Sequence, residues 1–150
     1  MDNQSYVKAI AAINCIIKWP DGKLFGRHTD YISAISAIEE GLQGLQPSIY
    51  GSLLAGKLFV VIGASGAGKA IAYVAKENGA RVVIAKRTYN ERQLVEIVGA
   101  KALSLEELRN FHPENYMILA NNTSIDMQPK VDDTQISKVC VFALILDKKC

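Results

Sequence analysis

Two stretches of this chain combine residue types and spacing suited to binding chemistry. The first, KLFVVIGASGAGKA at 57–70, runs an apolar strand into a glycine turn (Gly63, Ala64, Ser65, Gly66, Ala67, Gly68) and out into a helix. A helix start presents unpaired N–H groups and partial positive charge, which together bind a phosphate. The second, RVVIAKRT at 81–88, is another apolar strand, and it ends in Lys86, Arg87 and Thr88. In a dinucleotide-binding fold the second strand ends where the adenosine ribose lies. An acidic residue there accepts bonds from a ribose 2′-OH, whereas cations suit a 2′-phosphate. Charge-assisted hydrogen bonds contribute roughly 1.5–3 kcal/mol each. Two of them favour NADP over NAD by several decades, so NADP is the predicted cofactor.

A rival pattern shares these residues. Gly63, Gly68 and Lys69 nearly complete the P-loop sequence G-x-x-x-x-G-K-[ST], but Ala70 stands where a hydroxyl must hold Mg²⁺. Lys69 then reads as a solvated residue on the first helical turn. The dinucleotide pattern G-x-G-x-x-G has its own flaw, because its middle position is Ser65. Either the β-carbon crowds the phosphate or the hydroxyl bonds to it, and the expectation is weaker binding.

The elements that position these turns alternate strand and helix. Strand 57–62 leads to helix 66–78, whose apolar side is Ala67, Ala70, Ile71, Val74 and Ala75, with Asn78-Gly79 as a left-handed helix end. Strand 81–85 is Val/Ile-rich, as in a sheet buried on both faces. A helix near 89–98, a short helix at 104–110 with a Ser104/Glu107 capping box, strand 116–121, a polar loop 122–138 and a buried strand 139–146 follow. This order implies right-handed crossovers and a doubly wound parallel α/β sheet. Upstream, 9–17 and 23–28 read as two short strands around a Pro20-Asp21-Gly22 turn. From Asp30, Ile32, Ile35, Ile38, Leu42 and Leu45 recur at helical spacing, Gly44 stops that helix, and 46–56 has the composition of a hinge.

The totals exclude several classes. With 150 residues, 49% hydrophobic and 21% charged, the chain suits one globular domain. A net charge of +2 is too small to argue for nucleic acid or an acidic membrane surface. Cys15, Cys140 and Cys150 form no C-x-x-C pair and His28 and His112 are the only histidines, so neither a disulfide framework nor a metal site is expected. The longest apolar run, VCVFALIL at 139–146, is well short of a membrane helix, and the opening MDNQSYVK has neither a signal-peptide core nor an arginine-rich amphipathic run.

Several separate motifs converge on one family. AINC, DGKLFGRHTD, ISAIEEGL, GKLFVVIGASGAGKA, ARVVIAKRT, KALSLEEL and ILANNTSIDMQP occur in order from Ala11 to Lys138. Over that span the chain resembles the later part of the shikimate dehydrogenases, above all the plant bifunctional 3-dehydroquinate dehydratase/shikimate dehydrogenase form. The resemblance implies a Rossmann-type fold and NADPH-dependent, reversible reduction of 3-dehydroshikimate to shikimate. It implies a remnant of the substrate-binding domain at 1–30, a linking helix at 31–46 and an NADP-binding domain at 47–150, truncated at its C-terminal end.

By the same resemblance, Asn14 binds substrate hydroxyls, and Asp30 binds substrate and pairs with a lysine in proton transfer. Gly63, Ala64, Ser65, Gly66, Ala67 and Gly68 cover the pyrophosphate turn. Lys86, Arg87 and Thr88 read the 2′-phosphate. Asn121, Asn122 and Thr123 pass near the nicotinamide side. Read without the family, Asp30 is a helix N-cap. A chloroplast stroma location is implied, and without the resemblance a cytoplasmic one.

The chain also departs from the family pattern. His28, Cys15, Ser65, Lys86, Asn122 and Asp126 replace asparagine, threonine, glycine, asparagine, threonine and glycine. The family's catalytic lysine and the serine pair for the substrate carboxylate lie upstream of Met1, and the resemblance dissolves after Lys138. These departures predict weak NADP binding, little or no turnover by the chain alone, and association through exposed strands at 9–28.

Overall fold

The computed structural model describes residues 10–43, 51–86, 99–109, 114 and 116–123. The predicted helix near 89–98, the loop 124–138 and the strand 139–146 lie outside the described residues, as do Gly44 and Leu45.

The first strand starts later than predicted: Ile10 is helical and Ala11 turns at φ +50°, so β1 (Cys15–Lys18) begins only at Cys15 and pairs antiparallel with β2 (Leu24–Arg27), Ile17 opposite Phe25. The turn of this hairpin follows from the sequence. Gly22 takes φ +85°, the left-handed value that a three-residue hairpin loop requires, and the Trp19 N–H donates to the Lys23 carbonyl at 2.9 Å. Asp21 accepts from the Lys23 N–H at 3.1 Å, and the Lys23 ammonium lies 2.9 Å from its carboxylate. That ion pair holds the Asp21 carboxyl below the usual carboxylate range.

Helix α1 (Asp30–Gln43) begins one residue before the predicted linking helix and buries Ile35, Ile38 and Leu42. Ile32, predicted on the same stripe, is exposed; Tyr31 and Ala34 make the core contact in its place. The buried stripe therefore runs through Tyr31 and Ala34 at the start of the helix.

The second unit is a parallel sheet of β3 (Leu58–Ile62), β4 (Arg81–Lys86), β5 (Lys101–Ser104) and β6 (Ile118–Asn121), ordered β5-β4-β3-β6. Between its strands lie α2 (Gly66–Glu77) and α3 (Leu105–Arg109). Every residue of β3 is buried. Phe59 and Val61 pack into the cluster that holds α1 and α2, while Leu58, Val60 and Ile62 pack opposite, with Leu103, Leu108, Met117 and Leu119. Alternating side chains thus face helices on both sides, which explains an unbroken apolar run in place of a polar/apolar alternation.

α2 ends as predicted in a left-handed glycine. Gly79 has φ +83°, its N–H donates to the Lys76 carbonyl at 2.9 Å, and the Ala80 N–H donates to the Ala75 carbonyl at 3.0 Å.

β5 was not foreseen, because only Leu103 of its four residues is buried and a short edge strand carries little pattern. Ser104 closes β5 and caps α3 in one step. Its N–H donates to Glu107 Oε2 at 2.7 Å, and the Glu107 N–H donates to Ser104 Oγ at 3.1 Å. The backbone bond from Ser104, then its side-chain bond, lowers the Glu107 pKa. A carboxylate with a lowered folded pKa contributes stability above its unfolded value and loses it as pH falls through the folded one. Glu107 is therefore expected to titrate below the usual glutamate range in carboxyl NMR shifts. Ser104→Ala should raise that midpoint, and an unchanged midpoint would rule out the box.

Candidate functional site

Two groups of predicted residues are brought together, one at each end of the segment that enters the sheet. The first is built on the hairpin. Asn14 precedes β1, and its N–H donates to the Arg27 carbonyl at 3.0 Å. From there Asn14 Nδ2 donates to Asp30 Oδ1 at 2.8 Å and to Thr29 Oγ1 at 3.3 Å, while its Oδ1 accepts the Thr29 N–H at 2.9 Å. Asn14, Thr29 and Asp30 form one polar knot at the mouth of α1. Asp30 stands as the first residue of α1, not as a cap outside it, and its carboxylate is held by Asn14. His28, beside this knot, is buried.

The second group lies at the carboxyl ends of the strands. β3 is followed in the sheet by β4 on one side and by β6 on the other, so the strand order reverses beside β3. In open α/β sheets that reversal is where a ligand crevice forms. Gly63 leaves β3 at φ +90°, with its N–H on the Ala85 carbonyl at 2.9 Å. A β-carbon there would lie 3.0 Å from Thr123 Cγ2 and 3.1 Å from the Asn122 carbonyl oxygen. Gly68 is tighter: its missing β-carbon would sit 2.5 Å from the Gly63 carbonyl oxygen. The two glycines thus close the turn on itself and press the start of α2 against the end of β3. Gly66 is pressed as well, with Ala12 Cβ 3.2 Å from where its β-carbon would lie, which ties the residues before β1 to the turn.

Across the turn, β6 ends in Asn121, Asn122 and Thr123. The Asn122 N–H donates to the Ile62 carbonyl at 2.8 Å, and Asn121 Oδ1 accepts from the Thr123 N–H at 3.1 Å and hydroxyl at 2.8 Å. Ser65 is the N-cap of α2. Its Oγ accepts the Gly68 N–H at 3.3 Å and donates to the Asn122 carbonyl at 3.5 Å. The hydroxyl is therefore committed to the protein's own backbone, an arrangement that neither sequence-based alternative for Ser65 contained.

The charges around this turn suit an anion. α2 has no acidic residue in its first turn. Lys69, expected to be solvated, is half-buried. The Gly63–Ala85 hydrogen bond sets Lys86 alongside the turn, where it closes β4 opposite Ser104. Arg87, Thr88 and Asp126 lie outside the described residues. Among the described residues no cluster of His, Cys, Asp or Glu could hold a metal ion, and no helix is long and apolar enough to cross a membrane.

Comparison with known proteins agrees with this fold. No family model matches the sequence. The chain is 54% identical, over 93% of its length and 24% of the relative's, to the chloroplastic bifunctional 3-dehydroquinate dehydratase/shikimate dehydrogenase of Arabidopsis thaliana. It is 33% identical, over 93% of its length, to the NADP(+) shikimate dehydrogenase of Bacillus cereus. The chain spans 50% of that bacterial relative. Among solved structures, shikimate dehydrogenase of Aquifex aeolicus matches with a TM-score of 0.60 at 26% identity, covering 85% of this chain and 44% of that one. The Thermus thermophilus enzyme in complex with NADP(H) and shikimate matches with a TM-score of 0.55 at 26% identity, covering 81% and 41%. The resemblance to shikimate dehydrogenases and the Rossmann-type α/β fold both stand.

Proposed function

We propose that this chain carries the NADP-binding part of a shikimate dehydrogenase, with one piece of the substrate-binding side attached. The observation that carries this reading is the Gly63–Gly68 turn, closed at the point where the strand order reverses and facing Asn121, Asn122 and Thr123. The residues fit a dinucleotide: Gly63 and Gly68, pressed against backbone, make the tight turn that holds the start of α2 against the end of β3, where a helix N-terminus receives a pyrophosphate. The turn and α2 would hold the pyrophosphate, Lys86, Arg87 and Thr88 the 2′-phosphate, and Asn121–Thr123 the nicotinamide side. NADPH supplies the hydride when bound.

The polar knot would take the substrate. Asn14 and Asp30 present hydrogen-bonding groups suited to hydroxyls, and the Asn14 amide fixes the Asp30 carboxylate in place. Hydride delivery to a carbonyl builds negative charge on its oxygen, and a positioned general acid is worth roughly 10²–10⁴-fold. The Asp30 carboxylate is positioned to accept hydrogen bonds and orient a cation, and the resemblance gives the proton transfer to a lysine paired with it. We therefore propose that the chain binds NADP and turns over shikimate little or not at all by itself. Titration of the pure protein with NADP⁺ and NAD⁺, paired with a shikimate-dependent NADPH assay, tests this. Tighter binding of NADP⁺ without turnover is expected; robust turnover, or no binding of either, refutes it.

The plant relative's chloroplastic name supports a stromal location for this chain. Association runs through the hairpin on this reading. Leu24 is 71%, Ile16 62% and Trp19 56% exposed, an unusual apolar load for a sheet that has two strands among the described residues. A second copy offers the matching edge and apolar faces, pairing by two-fold symmetry. Sedimentation should show a concentration-dependent dimer that Ile16→Lys disperses, and a monomer at all concentrations would contradict it.

A further inference from the structure

Binding a phosphate at the start of a helix uses backbone N–H groups that have no partner within the helix. In this chain one of them is already taken. The Gly68 N–H, three residues into α2's N-terminal boundary, points at Ser65 Oγ across 3.3 Å. The same hydroxyl reaches the Asn122 carbonyl at 3.5 Å, so it also ties the turn to the end of β6. Ser65 itself is exposed, with extended backbone at φ −63° and ψ 169°. Its neighbours do not share this freedom. Gly63 and Gly68 are wedged against backbone, so the turn has no slack to move aside for a ligand.

We propose that the Ser65 hydroxyl is an internal competitor for the cofactor's pyrophosphate: it occupies the Gly68 donor in the free protein and must give it up when the dinucleotide binds. This rests on the NADP reading above and adds what sets the affinity of that site. A side-chain oxygen capping a helix offers the N–H the kind of acceptor that a phosphate oxygen would offer. The exchange therefore gains little at this donor, and the bond from Ser65 to the Asn122 carbonyl is lost as well. Ser65 acts on the ligand by holding the donor, so it is a positioning residue for the site.

Two substitutions separate this from the alternatives. Ser65→Ala removes the hydroxyl and keeps the β-carbon; Ser65→Gly removes both. An N-cap hydroxyl stabilises a helix by about as much free energy as a five-fold change in affinity, so both variants should bind NADP⁺ about five-fold more tightly than the wild type. Their affinity for adenosine 2′-monophosphate, which carries no pyrophosphate, should not change. The measurements are calorimetric titrations, with circular dichroism to confirm folding; glycine keeps most of the cap stability and guards against an alanine variant that folds poorly.

If only Ser65→Gly binds more tightly, the β-carbon crowds the phosphate and the proposal fails. Should both variants bind more weakly, the hydroxyl bonds the phosphate directly, and the proposal fails again. It fails too if affinity for NADP⁺ stays the same in both, or if the 2′-monophosphate tracks the dinucleotide. When none of the three proteins binds NADP⁺ under conditions where all are folded, the dinucleotide reading is lost and this proposal with it.

Discussion

Gly68→Ala is expected to cost about 1–3 kcal/mol of stability and to remove NADP binding altogether. The added methyl would lie 2.5 Å from the Gly63 carbonyl oxygen, a backbone atom that cannot rotate away. Relief requires α2 to slide from the end of β3, and that motion disturbs both sides of the turn. It pulls Ile71, Ala72 and Ala75 from the core that Phe59 and Val61 share with α1. It also withdraws the start of the helix from the crevice, so the N–H groups no longer converge on one anion.

Gly79→Ala separates the two consequences. Gly79 has φ +83°, and its missing β-carbon has no atom nearer than Ala55 at 3.5 Å, so alanine there meets backbone strain and not a collision. That strain is worth roughly 1–2 kcal/mol, at the far end of α2 from the turn. Thermal melts should therefore fall for both variants, while NADP⁺ titration fails for Gly68→Ala alone. A Gly68→Ala protein that binds the dinucleotide like the wild type would show that the close approach of turn and helix does not build the site.

What could be read from residues alone tracks how strongly each element's pattern is forced by burial. β3 has five apolar residues in a row because both its faces are covered, and no other placement accommodates such a run. α2 was legible from its apolar spacing and from Asn78-Gly79, since only a left-handed end satisfies that pair. β5 was not, because a four-residue edge strand with one buried side chain is set by its pairing with β4 and not by its own composition. Ile32 failed for a different reason: at the start of α1 the face that meets the core runs through Tyr31 and Ala34, a direction that apolar spacing alone does not fix.

The candidate site divides in the same way. Gly63, Gly68 and the strand ends follow from a local pattern, and the structure places them together. Asn14 and Asp30 carried no signal of their own; the family resemblance singled them out. Their meeting depends on the hairpin returning Thr29 and Asp30 to the residue before β1. Sequence separation of 16 residues between the partners hides that contact from any local reading. Ser65 was the instructive case. Its identity raised a question about the ligand, and the structure answered with a contact inside the protein, which no spacing rule encodes.

Replacing Lys86 and Arg87 together by alanine should lower affinity for NADP⁺ by about 10²–10⁴-fold and leave that for NAD⁺ nearly unchanged, since each charge-assisted bond to the 2′-phosphate contributes roughly 1.5–3 kcal/mol. Backbone pairing fixes where these residues start. The Gly63 N–H on the Ala85 carbonyl at 2.9 Å brings the end of β4 level with the turn, and Lys86 still pairs with Ser104. Arg87→Lys keeps the charge but lacks the planar fork with which an arginine can bond two phosphate oxygens at once, so on the proposed reading it should keep only part of the affinity. Salt supplies an independent check: exposed charges are screened over about 10 Å at 0.1 M ionic strength. Wild-type affinity for NADP⁺ should fall as salt is raised, while the double variant responds less. A double variant that still prefers NADP⁺, with the wild-type salt response, would place the 2′-phosphate somewhere other than the end of β4.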